Sequence, residues 1–209
     1  MIKLYGFPLS NYFSMVKASL LEKGIEFEVV PVRPSQEADY LAKSPMGKVP
    51  CIGTEQGFLS ETQAILEYLE DLAPAPVLLP SDPFRRAKVR ELMHALELYI
   101  ELPARTCYAP VFFGGQVSDE VQGRARENLT RGVRAVRQLA RFDPYLTGSE
   151  LSIADLFGIY ALPIASRVTK RLWDWDLTAD LPGAEPWIKA MNTRPSMQRI
   201  RADQRAATQ

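Results

Sequence analysis

Residues 73–83, A-P-A-P-V-L-L-P-S-D-P, place four prolines in the ten positions 74–83. Proline lacks the backbone N–H, so neither a helix nor a central strand runs through such a segment. The patterns on its two sides differ. Short β-rich runs alternate with helical periodicity before it, and only helical periodicity follows, which predicts a domain at 1–76, a linker at 77–82 and an all-helical domain at 83–209. Charge divides at nearly the same place. Residues 1–80 carry 6 Lys/Arg against 10 Asp/Glu (net −4) and residues 81–209 carry 19 against 15 (net +4), so the total of zero hides two unlike halves.

A chain without a basic surplus is not expected to bind nucleic acid. The single His excludes a His-based metal site, and no metal is expected. Cys51 and Cys107 stand 56 positions apart, as neither a C-x-x-C pair nor a disulfide framework, so a reducing compartment is the expectation. The start, MIKLYGFPLSNYF, lacks the features of a secretory signal, and no stretch reaches 18 apolar residues. These features predict a cytoplasmic protein with no membrane association.

In the front half, Ile2 to Tyr5 reads as a strand closed by Gly6 and Pro8, Asn11 to Lys23 as a helix stopped by Gly24, and Phe27 to Val30 as a second strand. A β-α-β order on so few residues implies a parallel pair with a right-handed crossover. Val49 to Ile52 and Phe58 to Leu59 flank a turn-rich connection of hairpin length, and a helix with Ala64, Ile65, Tyr68, Leu69 and Leu72 on one stripe follows. The order β-α-β, β-β-α predicts an α/β thioredoxin-like domain. In the back half, Asp82 and Pro83 open a helix through about Leu102, interrupted near Pro103 and extending toward Phe113. A second, arginine-rich helix covers Ser118 to about Phe142. Ser152 with Asp155 has capping-box spacing, and Leu151 with Leu156 forms a staple, at the start of a helix apolar on most sides. Shorter helices near 186–193 and 195–202 complete a helical bundle.

The patterns G-x-S-x-G, G-x-G-x-x-G and the P-loop are absent. His94, between Met93 and Ala95, reads as a structural or partly exposed imidazole, and the face carrying Arg131, Arg134, Arg137 and Arg141 reads first as solvated and second as part of a dimer interface. Three features carry chemistry. Pro50 interrupts a strand-like run, so it marks an edge or bulge if trans; if cis, it turns the Val49 peptide groups outward to pair with an extended ligand. By spacing alone the trans form is favoured. Ser60 to Gln63 has capping-box spacing with Glu61 in the first turn. The same residues suit an amino-acid head group, with Thr62 and free N–H groups on its carboxylate and Glu61 on its ammonium. Ser10 or Asn11 serves as a plain N-cap, or offers a hydroxyl at a positive helix end that donates to a thiolate.

Taken together, L-Y-G-F-P-L-S-N-Y-F-S-M-V-K-A-S-L-L-E-K-G-I-E-F-E-V, S-P-M-G-K-V-P-C-I, L-S-E-T-Q-A-I-L-E-Y-L and L-S-I-A-D-L-F, in this order across a Pro-rich linker, resemble the cytosolic glutathione S-transferases. The pattern is similar to that of bacterial, serine-type members of theta-, zeta- or phi-like kind. This resemblance implies a cis-proline at Pro50, glutathione as co-substrate, a small hydrophobic electrophile as second substrate, a homodimer and a role in detoxification. Ser10 falls where serine-type members place the activating hydroxyl, Val49 before Pro50 at the main-chain partner of the cysteinyl group, and Glu61 with Thr62 at the γ-glutamyl site. Lys48 and Gln36 fall near the ligand. Gly6 stands where tyrosine-type members carry their catalytic Tyr, Tyr5 points to the opposite face, and Asn11 stands where a Pro is frequent, so either Ser10 or Asn11 faces the sulfur. Two functions follow: a glutathione transferase acting through Ser10, or a non-catalytic ligand carrier or protein-interaction module on the same fold.

Overall fold

In the computed structural model, which describes residues 1–208, the chain divides into two compact units, residues 1–79 with 192–208 and residues 80–191. The first contains β1 (Ile2–Gly6), α1 (Asn11–Glu22), β2 (Phe27–Pro31), the one-turn α2 (Ala38–Leu41), β3 (Cys51–Thr54), β4 (Gly57–Ser60), α3 (Thr62–Leu72) and the terminal α10 (Pro195–Ala206). The strands form one sheet in the order β2-β1-β3-β4. β1 runs parallel to β2 with Leu4 beside Val29, while β1 with β3 and β3 with β4 are antiparallel. This is the expected thioredoxin-like arrangement. β3 begins at Cys51, so Val49 and Pro50, expected inside the strand, precede it.

Alternation along β1 sends Ile2, Leu4 and Gly6 to the buried face and Lys3 and Tyr5 to the other. Ile2 and Leu4 pack with Phe13, Val16 and Leu20 of α1, Ile52 of β3, and Ile65 and Leu69 of α3. Burying each such side chain is worth about 1.5–3 kcal/mol. Gly24 ends α1 as its position in the sequence predicts: with φ +63 it donates to the Leu21 carbonyl while Ile25 donates to that of Leu20, a Schellman closure.

Although α10 belongs by sequence to the helical half, it packs on α1. Lys17 Nζ lies 2.7 Å from Asp203 Oδ2, and Arg194 grips Glu22 through Nε (2.8 Å) and a terminal nitrogen (2.7 Å). Burial pushes the Glu22 carboxyl up, but hydrogen bonds from Arg194 and Ser196 and the Arg194 charge outweigh it and hold the pKa below the usual value.

The second unit is helical: α4 (Pro83–Leu96), a π-helical stretch (Glu97–Glu101), α5 (Leu102–Arg105), α6 (Tyr108–Phe112), α7 (Asp119–Leu139), α8 (Ile153–Trp173), a 3-10 turn (Leu177–Asp180) and α9 (Ala184–Thr193). Asp82 caps α4, accepting from the Arg85 N–H at 2.8 Å. The interruption expected near Pro103 is the π stretch. Pro103 has no N–H for the Tyr99 carbonyl four residues earlier and its ring crowds that oxygen, so the ladder shifts and Leu102 donates to Glu97 instead.

The displaced Tyr99 carbonyl meets α7 at Gly132, where a Cβ would lie 2.2 Å from its oxygen. Gly132→Ala is therefore expected to lower the unfolding free energy by about 1–3 kcal/mol, through overpacking against backbone that cannot turn aside. Urea titration of the two proteins reads this directly; equal midpoints would show that the helices separate without cost. The opposite face of α7 is exposed, with Arg124 paired to Glu120 at 2.8 Å and Arg131 to Glu127.

Candidate active site

The strand registers bring the candidate residues together. Tyr5 of β1 pairs with Cys51, the first residue of β3, and Cys51 pairs with Ser60, the last of β4. The loop leaving β1 (Phe7 to Ser10), the segment entering β3 (Lys48 to Pro50) and the turn leaving β4 (Glu61, Thr62) thus lie at one end of the sheet. β2 ends there as well, with Gly6 beside Pro31 and the Val32 N–H bonded to the Gly6 carbonyl at 3.1 Å. Neighbouring strands are about 4.8 Å apart, so an edge of four spans about 14 Å.

Ser10 is the N-cap of α1, with φ −79 and ψ 122. Its Oγ accepts from the Phe13 N–H at 3.3 Å, which leaves the hydroxyl proton to donate elsewhere. Asn11 is the first helical residue and is half-buried. Gly6 cannot be replaced by a larger residue here: its φ is +152 and a Cβ would lie 2.4 Å from Cδ2 of Phe13. Tyr5 points to the other face and stacks edge-on against Phe58 at 5.9 Å.

The Val49–Pro50 peptide bond is cis, against the preference read from spacing alone. Val49 lies outside the β3 ladders, which begin at Cys51. Tyr40 Oη and Ser44 Oγ both donate to the Lys48 carbonyl, at 2.9 and 2.8 Å, and so clamp the residue before Val49. Gln36 is exposed, and its Nε2 donates to the Met46 carbonyl at 3.3 Å. Gly47, at φ +63, allows this approach, because a Cβ would lie 2.2 Å from the Ser35 oxygen. Gln36 and Lys48 therefore share one loop cluster.

At α3 the expected cap is corrected. Ser60 is held in β4 by pairing with Cys51, Gln63 turns to Glu67 (3.1 Å), and the N-cap is Glu61. Glu61 has φ +68 and its side chain makes no capping hydrogen bond. A left-handed conformation in a residue other than Gly costs about 1–3 kcal/mol and is retained where the surroundings enforce it. It leaves the first-turn N–H groups of α3 without a side-chain cap, beside the buried Thr62.

Neither cysteine is a nucleophile candidate. Both are fully buried, and burial pushes both thiols up; around Cys51 the neighbouring Tyr40 hydroxyl and the charge of Lys43 oppose the shift without cancelling it. The same burial, with the neighbouring Cys51, raises the Tyr40 phenol and keeps it a donor. His94 is exposed in the last turn of α4. No local pattern assigns a role to Tyr40, Ser44 or Arg33, whose guanidinium lies 4.5 Å from the Phe7 ring centre. Among the described residues, no group of three or more His, Cys, Asp or Glu is placed to hold a metal ion, and no helix is long and apolar enough to cross a membrane.

Family models for the glutathione S-transferase N-terminal and C-terminal domains match residues 4–77 and 119–190. The chain is 47% identical over 207 residues to a glutathione S-transferase of Pseudomonas putida, covering 99% of this chain and 94% of that protein. A maleylacetoacetate isomerase of Pseudomonas aeruginosa is 30% identical over 196 residues, covering 88% of this chain and 92% of the relative. A solved glutathione S-transferase structure from Rhodospirillum rubrum superposes with a TM-score of 0.74 at 28% identity, over 96% of this chain and 91% of that one.

Proposed function

Because this chain belongs to the glutathione S-transferase family, we propose that it joins the glutathione thiolate to a small hydrophobic electrophile, with Ser10 donating a hydrogen bond to the sulfur. The observation that carries this is the convergence of Ser10, Val49, Glu61 and Thr62 at one end of the sheet. An extended tripeptide spans about 10–11 Å, which matches the two strand spacings, about 9.6 Å, that separate β1 from β4 across β3.

In this reading the γ-glutamyl ammonium pairs with Glu61, and its carboxylate takes the Thr62 hydroxyl and the uncapped first-turn N–H groups of α3. The cysteinyl unit pairs with the Val49 main chain as an added strand. The glycyl carboxylate lies toward Lys48 and Gln36, and Asn11 stands beside Ser10 near the sulfur. No metal takes part. The resemblance further implies a homodimeric, cytoplasmic enzyme of detoxification.

A thiol of pKa about 8.5 is only about 3% ionised at pH 7. Lowering it by about 2 units takes about 2.7 kcal/mol. A hydrogen bond to a charged sulfur supplies about 1.5–3 kcal/mol, and the positive end of α1 about 0.3–1 kcal/mol. The two suffice. Ser10 stays protonated throughout: it donates, and the sulfur lone pair attacks. In Ser10→Ala, with the positive end of α1 still in place, the bound-thiol pKa is expected to rise by about 1–2 units, which cuts the thiolate fraction at pH 6.5 about five- to fiftyfold. A more basic thiolate is more nucleophilic and recovers up to about tenfold, so kcat/KM falls between about twofold and about fiftyfold at nearly unchanged glutathione affinity. Titration of the bound thiol by its ultraviolet absorbance, with binding calorimetry, provides the test. An unshifted thiol pKa in the wild type with tight binding indicates a ligand carrier, and absence of glutathione binding an interaction module.

The likeness to a maleylacetoacetate isomerase favours one variant of the same chemistry. There the thiolate adds to a double bond, the adduct rotates, and the thiolate leaves, so glutathione is regenerated instead of consumed.

A further inference from the structure

The geometry points to Ser14 and Gln204 as positioning residues for Ser10, through a hydrogen-bond chain that runs from the C-terminal helix into the loop between β1 and α1. This inference rests on the reading of Ser10 given above. Gln204 Nε2 donates to Ser14 Oγ at 3.2 Å, and Ser14 Oγ donates to the Pro8 carbonyl at 3.3 Å. Ser14 also gives its backbone N–H to the Ser10 carbonyl at 3.0 Å. One fully buried residue therefore ties down both flanks of the loop, two residues before the hydroxyl and at the hydroxyl residue itself.

The backbone bond to Ser10 is the ordinary first turn of α1, but helix formation does not require the hydroxyl bond to Pro8. A serine inside a helix ordinarily returns its hydroxyl to the carbonyl four residues back, which here is that of Ser10. Ser14 reaches instead to Pro8, outside the helix. The amide of Gln204 fills the acceptor side of the same hydroxyl and so selects that rotamer. Gln204 is held in place by its helix, which Lys17–Asp203 and Glu22 with Arg194 and Ser196 fasten to α1. A hydroxyl that must meet a sulfur anion works only within about 0.5 Å and 10–20° of the productive geometry. The chain supplies that constraint from a residue 194 positions away in sequence from Ser10.

Gln204→Met keeps the length and apolar contact of the side chain but removes its N–H, and Ser14→Ala removes the hydroxyl. Both are expected to raise the pKa of bound glutathione thiol by about 0.5–1 unit. At pH 6.5 the thiolate fraction then falls about two- to fivefold, of which the more nucleophilic thiolate recovers up to about threefold, so kcat/KM falls by at most about fivefold, with recovery at high pH and little change in glutathione affinity. Asp203→Asn weakens the docking of α10 without touching Ser14 and is expected to leave the thiol pKa in place. A shift in Asp203→Asn equal to that in Gln204→Met overturns the proposal, because helix docking alone then suffices. A shift in Ser10→Ala with none in Ser14→Ala and Gln204→Met overturns it as well. If Ser10→Ala itself leaves the pKa unshifted, the reading of Ser10 fails and this proposal falls with it.

Discussion

Lys23→Met is expected to cost this protein about 3–5 kcal/mol of unfolding free energy, the effect of leaving one partner of a buried ion pair uncompensated. Lys23 Nζ lies 2.6 Å from Glu70 Oε2, with the two side chains 0% and 6% exposed. The same ammonium donates to the carbonyls of Ala73 (2.7 Å) and Pro76 (2.8 Å), so its three protons are all engaged. Glu70 in turn receives the Leu78 N–H at 3.2 Å on each oxygen. One salt bridge thus holds the end of α3 and the Pro-rich linker, whose own residues have few backbone donors with which to hold themselves. Removing the cation strands a carboxylate where water does not reach. The double variant Lys23→Met/Glu70→Leu removes both charges and is expected to be more stable than Lys23→Met alone, although the Ala73 and Pro76 carbonyls stay unpaired and the Leu78 N–H also loses its acceptor. Denaturant unfolding of the three variants decides it. A double variant less stable than the single one would mean that Glu70 contributes more through the Leu78 hydrogen bond and packing than its stranded charge costs.

Asp155→Ala is expected to cost about 4 kcal/mol, which for a chain of this size lowers the melting temperature by about 10 °C. Asp155 is fully buried at the start of α8. Oδ1 accepts from the Leu146 N–H (2.7 Å) and Trp187 Nε1 (2.9 Å), and Oδ2 accepts from the Ser152 N–H and hydroxyl (2.9 Å each). Burial pushes its carboxyl up, opposed by these four hydrogen bonds. The capping box alone accounts for about 1 kcal/mol. The larger share comes from orphaning the Leu146 and Trp187 donors in the interior, at about 1–3 kcal/mol for each unsatisfied group. Asp155→Asn, which retains one acceptor oxygen, is expected to lose less. Scanning calorimetry separates the cases: a loss near 1 kcal/mol in Asp155→Ala would mean that only the cap matters.

These two carboxylates differ in how far the sequence discloses them. Asp155 stands three residues after Ser152 ahead of an apolar stripe, and the local spacing predicts the cap. Its bonds to Leu146 and Trp187, 9 and 32 positions away, have no local signature. Glu70 reads only as a polar residue on α3, since nothing in its neighbourhood points to Lys23. The same division runs through the candidate site. Ser10 at the start of α1 is legible, because a hydroxyl between a turn and an apolar period is a cap pattern. The cap of α3 is not: Ser60 has the right spacing to Gln63 but is taken by strand pairing with Cys51, so the start moves to Glu61 and its φ of +68. The π-helical stretch was visible only as a disturbance at Pro103, and the fit of Gly132 against the freed carbonyl needed two helices in place.

What the sequence by itself determines here is local: the order β-α-β, β-β-α, the break at residues 73–83, the helical back half and the residue types at each helix start. These follow from periodicity and from the donor and acceptor inventory of neighbouring residues, which act over three or four positions. Tertiary structure alone decided that three loops meet at one end of the sheet, that Tyr40 and Ser44 clamp Lys48, and that α10 returns to α1 with Gln204 against Ser14. Those contacts join groups far apart in sequence or override a local preference. They exist only because burying the apolar faces brings the groups together and each buried donor must then find an acceptor.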